Sequence, residues 1–165
     1  MNDELSRNGS AVGVHLERDY DGTPDELWQC WTDPERLMRW LGKPAQALLA
    51  AAGTVRLMLG DGEDQWADVR VLAADRPRML KLGWDFPGQS GTELTVEFVA
   101  LSPGRTRVVV NHDGLGESAT GYGAGWQAYL EGGLRRETGD RDESVWEERF
   151  AAALPHWRIR AAAIG

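Results

Sequence analysis

At 165 residues, 42% of them hydrophobic and 27% charged, the chain has the size of one globular domain and is too apolar to stay disordered. Its formal charge of −8, from 18 basic against 26 acidic residues, argues against non-specific binding to nucleic acid or to an anionic membrane surface. One cysteine, Cys30, allows no internal disulfide, "MNDELSRNGSAVG" lacks the basic start and apolar centre of a leader, and no stretch is long and apolar enough to insert in a membrane, so a cytoplasmic location is expected. Eight tryptophans, at 28, 31, 40, 66, 84, 126, 146 and 157, are the unusual feature. They suit a core, a ligand cavity or an interface.

Residues 1 to about 11 are polar and expected to fray. "VGVHLERDY" then alternates as a strand, with Val12, Val14, Leu16, Arg18 and Tyr20 on one face and His15, Glu17 and Asp19 on the other. After the Asp21-Gly22 turn, Thr23 caps a short helix that has Pro24 at its first position and Glu26 three residues after the cap. Asp33 caps a second helix in the same way, and Leu37, Trp40 and Leu41 recur along it at helical spacing. Both helices are too short to stand alone and need a sheet beneath them.

Beyond Pro44 the period changes. "AQALLAAAG" is ambiguous and "TVRLMLG" reads as a strand, with Gly60-Asp61-Gly62 a tight turn after it. "WADVRVLAAD", "RMLKLGWDF", "TELTVEFVAL" and "TRVVVNH" follow, separated by Pro77, Pro87-Gly88 and Pro103-Gly104. Short connections and alternating faces favour antiparallel pairing. "SATGYGAGWQAYLEGGLRR" is compatible with a helix despite its glycines, which implies a packing reason for them. "ETGDRDES" reads as a loop, and Ser144 with Glu147 as a capping box for a last helix that Pro155 should stop. The sum is an α+β protein with a curved antiparallel sheet, two short helices, a long helix and a tail.

Taken in order, "LERDYDGTPDELWQCWTDPERLMRWLG", "VRVLAADRPRMLKLGWD", "TELTVEFVALSPGRTRVVVNHDGL" and "GWQAYLEGGL" resemble the START-like (SRPBCC) superfamily, and within it the group related to the activator of Hsp90 ATPase. The resemblance implies a helix-grip fold: a seven-stranded antiparallel sheet curled around a long C-terminal helix, with two short helices closing one end. It places the domain at residues 12–137 and leaves 138–165 as an extension, expected to be helical and packed on the same domain. Many members of the superfamily hold an apolar ligand in an internal cavity. Glycines 121, 123, 125, 132 and 133 depart from a smooth grip helix.

Trp66, Trp84, Tyr122 and Trp126 either line a cavity or pack a dry core, and core packing is favoured for any one of them. Strand alternation sets Leu80, Leu82 and Trp84 inward, with Leu94, Val96 and Phe98 and then Val108, Val110 and His112, and ranks Trp84 above Trp66. His112 matches the superfamily's strand-end histidine; it either anchors a ligand or, as favoured, ties the following turn to the sheet. Arg18 matches the group's first-strand arginine, and either meets an anionic partner inside or, as favoured, snorkels at the sheet edge. Cys30 is read as a small core residue, and Asp33 as a cap rather than a catalytic carboxylate.

No GxSxG, Walker, dinucleotide, HExxH or paired CxxC motif occurs, so no catalytic residue, metal or cofactor is assigned. The expected function is binding of a largely apolar small molecule, uncharged or weakly anionic. Its site would use Leu37, Trp40, Trp84, Phe98, His112, Tyr122 and Trp126. Two alternatives come from the resemblance: association with an Hsp90-type chaperone or another protein, and a cyclase or hydratase of the polyketide type. Trp146 and Phe150, four residues apart, could form an apolar stripe in a lid, a homodimer contact or the core.

Overall fold

A computed structural model describes residues 3–8, 11–50, 52–60, 62–141 and 143–164. In chain order the elements are β1 (Asp3–Asn8), β2 (Ala11–Asp21), α1 (Pro24–Thr32), α2 (Pro34–Trp40), β3 (Lys43–Pro44), β4 (Val55–Met58), β5 (Trp66–Asp75), β6 (Met79–Phe86), β7 (Gln89–Ser102) and β8 (Arg105–Asp113). The chain then runs through α3 (Ala119–Ala128), a π-helical turn (Tyr129–Gly133), α4 (Leu134–Glu137) and α5 (Trp146–Ala163). The strands described form one antiparallel sheet in the order β1-β2-β8-β7-β6-β5-β4-β3. It curves around the α3–α4 helix, and α1 and α2 close one end, which is the helix-grip architecture.

Strand alternation sets the inner face. Val14, Leu16 and Tyr20 on β2 are buried beside Val108, Val110 and His112 on β8, then Leu94, Val96 and Phe98 on β7, and Leu80, Leu82 and Trp84 on β6. Trp66 takes the opposite face from Val69, and the Arg56 guanidinium lies 3.7 Å above its ring. Both expected caps form: the Thr23 hydroxyl accepts from Glu26 N at 3.2 Å, and the Asp33 carboxylate from Glu35 N at 3.0 Å. Cys30 is a buried core residue.

Several expectations are corrected. The N-terminal segment does not fray: residues 3–8 form an eighth strand, β1, where seven were implied, with Leu5 opposite Val14. Arg18 does not snorkel. It is 3% exposed, and Asp3 of β1 takes both guanidinium ends, at 2.5 and 2.7 Å. A buried cation needs such a partner, and β1 delivers it. The Ser144–Glu147 capping box is absent. Val145 occupies the cap position without a side-chain bond, and the Ser144 hydroxyl instead accepts from Arg149 Nε at 2.5 Å. Nor does Pro155 stop the last helix, which continues to Ala163. Ala151, four residues back, is exposed, so solvent can serve the carbonyl that a proline leaves without a donor. Asp61, the centre of the expected Gly60-Asp61-Gly62 turn, lies outside the described residues; the flanking β4 and β5 pair, with Met58 opposite Trp66.

The glycine-rich helix is a hybrid. After α3 the backbone widens into the π turn, where the Leu134 N–H reaches back to Tyr129 O and the Tyr20 hydroxyl donates to Leu130 O at 2.6 Å. A side chain at Gly133 would meet the Trp40 backbone at 2.9 Å, so that glycine lets α2 approach the helix. α5 lies across α3 and also touches β1 and the π turn.

Candidate functional site

The curved sheet, α3 and the closing helices leave an open cleft of about 1370 Å³. α2, β3 and β4 form one lip, with Met38, Trp40, Lys43 and Met58. The β6–β7 turn, with Phe86 and Gln89, forms another. Trp84 rises from the sheet, Tyr122, Trp126 and Tyr129 come from the helix, and Trp146, Glu147 and Phe150 come from α5.

The rings form a continuous wall. Trp84 meets Trp126 at 5.6 Å between centroids, Trp126 meets Tyr129 at 6.0 Å, Tyr129 meets Trp146 at 5.5 Å, and Trp146 stacks on Phe150 at 4.9 Å with 17° between planes. Trp40 joins from α2, 6.4 Å from Tyr129. Such offset and edge contacts fix ring orientation as well as burying area. The π turn carries Tyr129 in this series, consistent with π insertions re-aiming side chains at sites.

Of the seven residues expected at the site, Trp40, Trp84, Tyr122 and Trp126 line the cleft. Leu37, Phe98 and His112 are buried and do not line it, and the Phe98 ring meets Trp28, 5.9 Å away, rather than a cleft ring. His112 is fully enclosed in a directed chain. An indole nitrogen can only donate, so the Trp126 Nε1–H bond to His112 Nδ1, at 3.0 Å, requires that nitrogen to be bare. The imidazole proton therefore sits on Nε2 and is donated to Thr92 Oγ1 at 2.9 Å, and the Thr92 hydroxyl donates in turn to the Trp84 carbonyl. The chain joins β6, β7, β8 and α3, and it fixes the plane of one cleft ring, Trp126.

Burial lowers the His112 pKa from 6.5 to about 3. Both nitrogens are already used, so protonation would set a second N–H against Trp126. The unfolded chain takes up this proton near 6.5 while the folded chain resists to about 3. The histidine's contribution to stability is therefore complete above pH 6.5 and is lost as pH falls from there toward 3. Within that window the expected slope from this group is about 1.4 kcal/mol per pH unit. Urea denaturation from pH 7 to pH 4.5 should show it, with a shallower slope for His112→Gln. Equal slopes would refute the assignment.

The charged groups around the cleft are few. Arg39 is tied to Glu137 at 2.7 Å and Arg36 joins the same carboxylate at 2.9 Å, which pins α2 to α4. The two guanidiniums, Arg39 foremost, hold the Glu137 carboxyl below its ordinary range. His15 sits on the outer sheet face, with Nδ1 2.7 Å from Asn111 and Nε2 3.1 Å from Glu17, and His156 is exposed on α5. No cluster of three or more potential metal ligands occurs among the described residues.

Sequence reasoning named Trp146 and Phe150 as a stripe without assigning them to the cleft, and passed over the stripe's continuation along α5. The apolar positions 146, 150, 153, 157, 161 and 164 recur at spacings of three and four, a stripe legible before the fold was known. The expectation that Pro155 ended the helix hid its second half.

Residues 21–137 match the family described as "Activator of Hsp90 ATPase homolog 1-like protein". The chain belongs to this family. No curated protein matches it in sequence. Among solved structures, CalU16 from Micromonospora echinospora, in its solution form, is 20% identical with a TM-score of 0.76, covering 99% of this chain and 96% of that one. EF2215 from Enterococcus faecalis is 15% identical with a TM-score of 0.72, covering 99% and 92%. PFC0360w, an HSP90 activator from Plasmodium falciparum, is 17% identical with a TM-score of 0.61, covering 72% and 91%. At these identities the likeness is one of fold. The family match ends at residue 137, whereas the likeness to CalU16 spans nearly the whole chain. No helix among the described residues is long and apolar enough to cross a membrane.

Proposed function

We propose that the chain binds a largely apolar small molecule, uncharged or weakly anionic, in the open cleft. The observation that carries this reading is the unbroken ring wall from Trp84 to Phe150 along a cleft of about 1370 Å³. Ligand sites are typically concave, mostly apolar and provided with a few polar groups, and this volume accommodates a drug-sized molecule with room at the mouth. Trp40, Trp84, Tyr122 and Trp126 touch the ligand, while His112 holds Trp126 and Tyr122 from behind. The extension belongs to the site through Trp146 and Phe150. His112, held neutral with both nitrogens engaged, does not support an acid–base role and so weighs against a cyclase or hydratase. Native mass spectrometry of gently purified protein, followed by tryptophan-fluorescence titration with a broad apolar panel, tests the reading. A retained compound or saturable binding is the expected result; neither retention nor saturation rejects it.

Docking to an Hsp90-type chaperone is a second reading. It is supported by family membership and by the description of PFC0360w as an HSP90 activator. Titration with purified Hsp90 at low ionic strength checks it, and no binding there removes it.

A further inference from the structure

The α3 helix and its flanks turn one face to the cleft, carried by Ser118, Gly121, Tyr122, Gly125, Trp126 and Tyr129 at spacings of one, three and four. Tyr122, Trp126 and Tyr129 supply rings on it, whereas Gly121 and Gly125, about one turn apart, leave the backbone bare. Glycine weakens a helix relative to alanine, so each one calls for a reason. Three neighbouring glycines have theirs inside the protein. A methyl group at Gly123 would meet the Trp157 ring, one at Gly132 the Arg149 side chain at 3.1 Å, and one at Gly133 the Trp40 backbone at 2.9 Å. A methyl group at Gly121 would have no protein atom within 4 Å. At Gly125 it would stand in ordinary contact, 3.6 Å from the Trp146 ring. Neither of these two glycines has a positive φ. Packing within the chain and backbone torsion therefore give no reason for Gly121, and the space its side chain would fill is the cleft.

Resting on the reading of the cleft as a binding site, we propose that Gly121 is a specificity-determining residue of that site. The apolar body of the ligand lies flush against the α3 backbone there, in the space a side chain would take. A bare turn of helix allows this close approach between backbone and ligand. Gly125 continues the strip for about 6 Å along the axis toward Trp146. Tyr122 and Trp126 stand beside the strip on the same face, so the body rests on a bare floor with rings along its edge. A rigid body of fused rings spans both turns and cannot bend around an obstacle. Its fit therefore depends on residue 121 more steeply than that of a flexible chain.

The test titrates N-phenyl-1-naphthylamine, an uncharged probe that brightens in apolar surroundings, into the full chain and its Gly121→Ala, Gly121→Leu and Gly123→Ala variants. Thermal unfolding without probe accompanies each titration. Gly121→Ala should raise Tm by about 1–3 °C, because alanine favours the helix and its methyl group strikes nothing. It should nevertheless weaken probe binding about threefold, and Gly121→Leu about tenfold or more. Gly123→Ala should lower Tm and affinity together, since its methyl group strikes Trp157, so a structural glycine leaves a different signature. Gly121→Ala keeps the comparison available if Gly121→Leu does not fold. Unchanged or tighter binding by the folded Gly121 variants overturns the assignment while the cleft remains a binding site. A lower Tm for Gly121→Ala overturns it too, by giving that glycine a role in the fold. No saturable binding by the wild type overturns the assignment and the binding reading together.

Discussion

Asp3→Ala is expected to destabilise the fold by about 3–5 kcal/mol, the usual cost of stranding one member of a buried ion pair. Arg18 is 3% exposed and its Nε already lacks a partner, so loss of Asp3 leaves only the Glu17 carbonyl at 2.8 Å and Glu131 at 3.4 Å. The guanidinium would then either recruit water into the sheet edge or pull Glu131 inward, and Glu131 lies on the π turn that carries Tyr129. The Asp3→Ala/Arg18→Met double variant removes both charges and should recover most of the loss, because an apolar side chain of similar length tolerates this site. Urea denaturation of the wild type and the two variants provides the measurement. A single variant within about 0.5 kcal/mol of wild type would show that β1 is dispensable and that the pair is not a structural tie.

Trp157→Ala should cost a similar amount, about 3–5 kcal/mol, and should act first on α5. The Trp157 ring is fully buried, donates to Gln127 Oε1 at 2.8 Å and occupies the notch left by Gly123. A methyl group at Gly123 would stand 2.3 Å from the ring, far inside van der Waals contact, so Gly123→Ala presses the same joint from the other side. Either change should raise amide hydrogen exchange along Trp146–Ala163 before it does so in the sheet. Trp146 and Phe150 belong to that helix and to the cleft wall, so affinity for any cleft ligand should fall as the joint loosens. Unchanged exchange in α5 for both variants would refute the lock.

Much of the fold is local and was readable. Thr23-Pro24 and Asp33-Pro34 start helices because the cap and the fixed proline torsion act within a few residues. Alternation along β2, β6, β7 and β8 sorted inner from outer faces because the period of a strand belongs to the strand itself. The misreadings share another cause. Polar residues 3–8 form a strand because Arg18, fifteen residues after Asp3, needs a buried acid. Pro155 is tolerated because the neighbouring turn faces solvent while Trp157, two residues on, finds its notch in α3. Neither partner is visible from the segment alone.

The amino-acid order by itself carried the resemblance to the family, and it determined the α+β class, the Thr23 and Asp33 caps and the inward set from Leu80 to His112, these last three through short-range sterics and periodicity. Only the tertiary structure decided that Trp84, Tyr122 and Trp126 border open space, that His112 stands behind them with its proton on Nε2, and that α5 supplies the far wall. Cleft shape and proton position depend on distances between side chains remote in sequence, and those distances exist only once the sheet has closed on the helix.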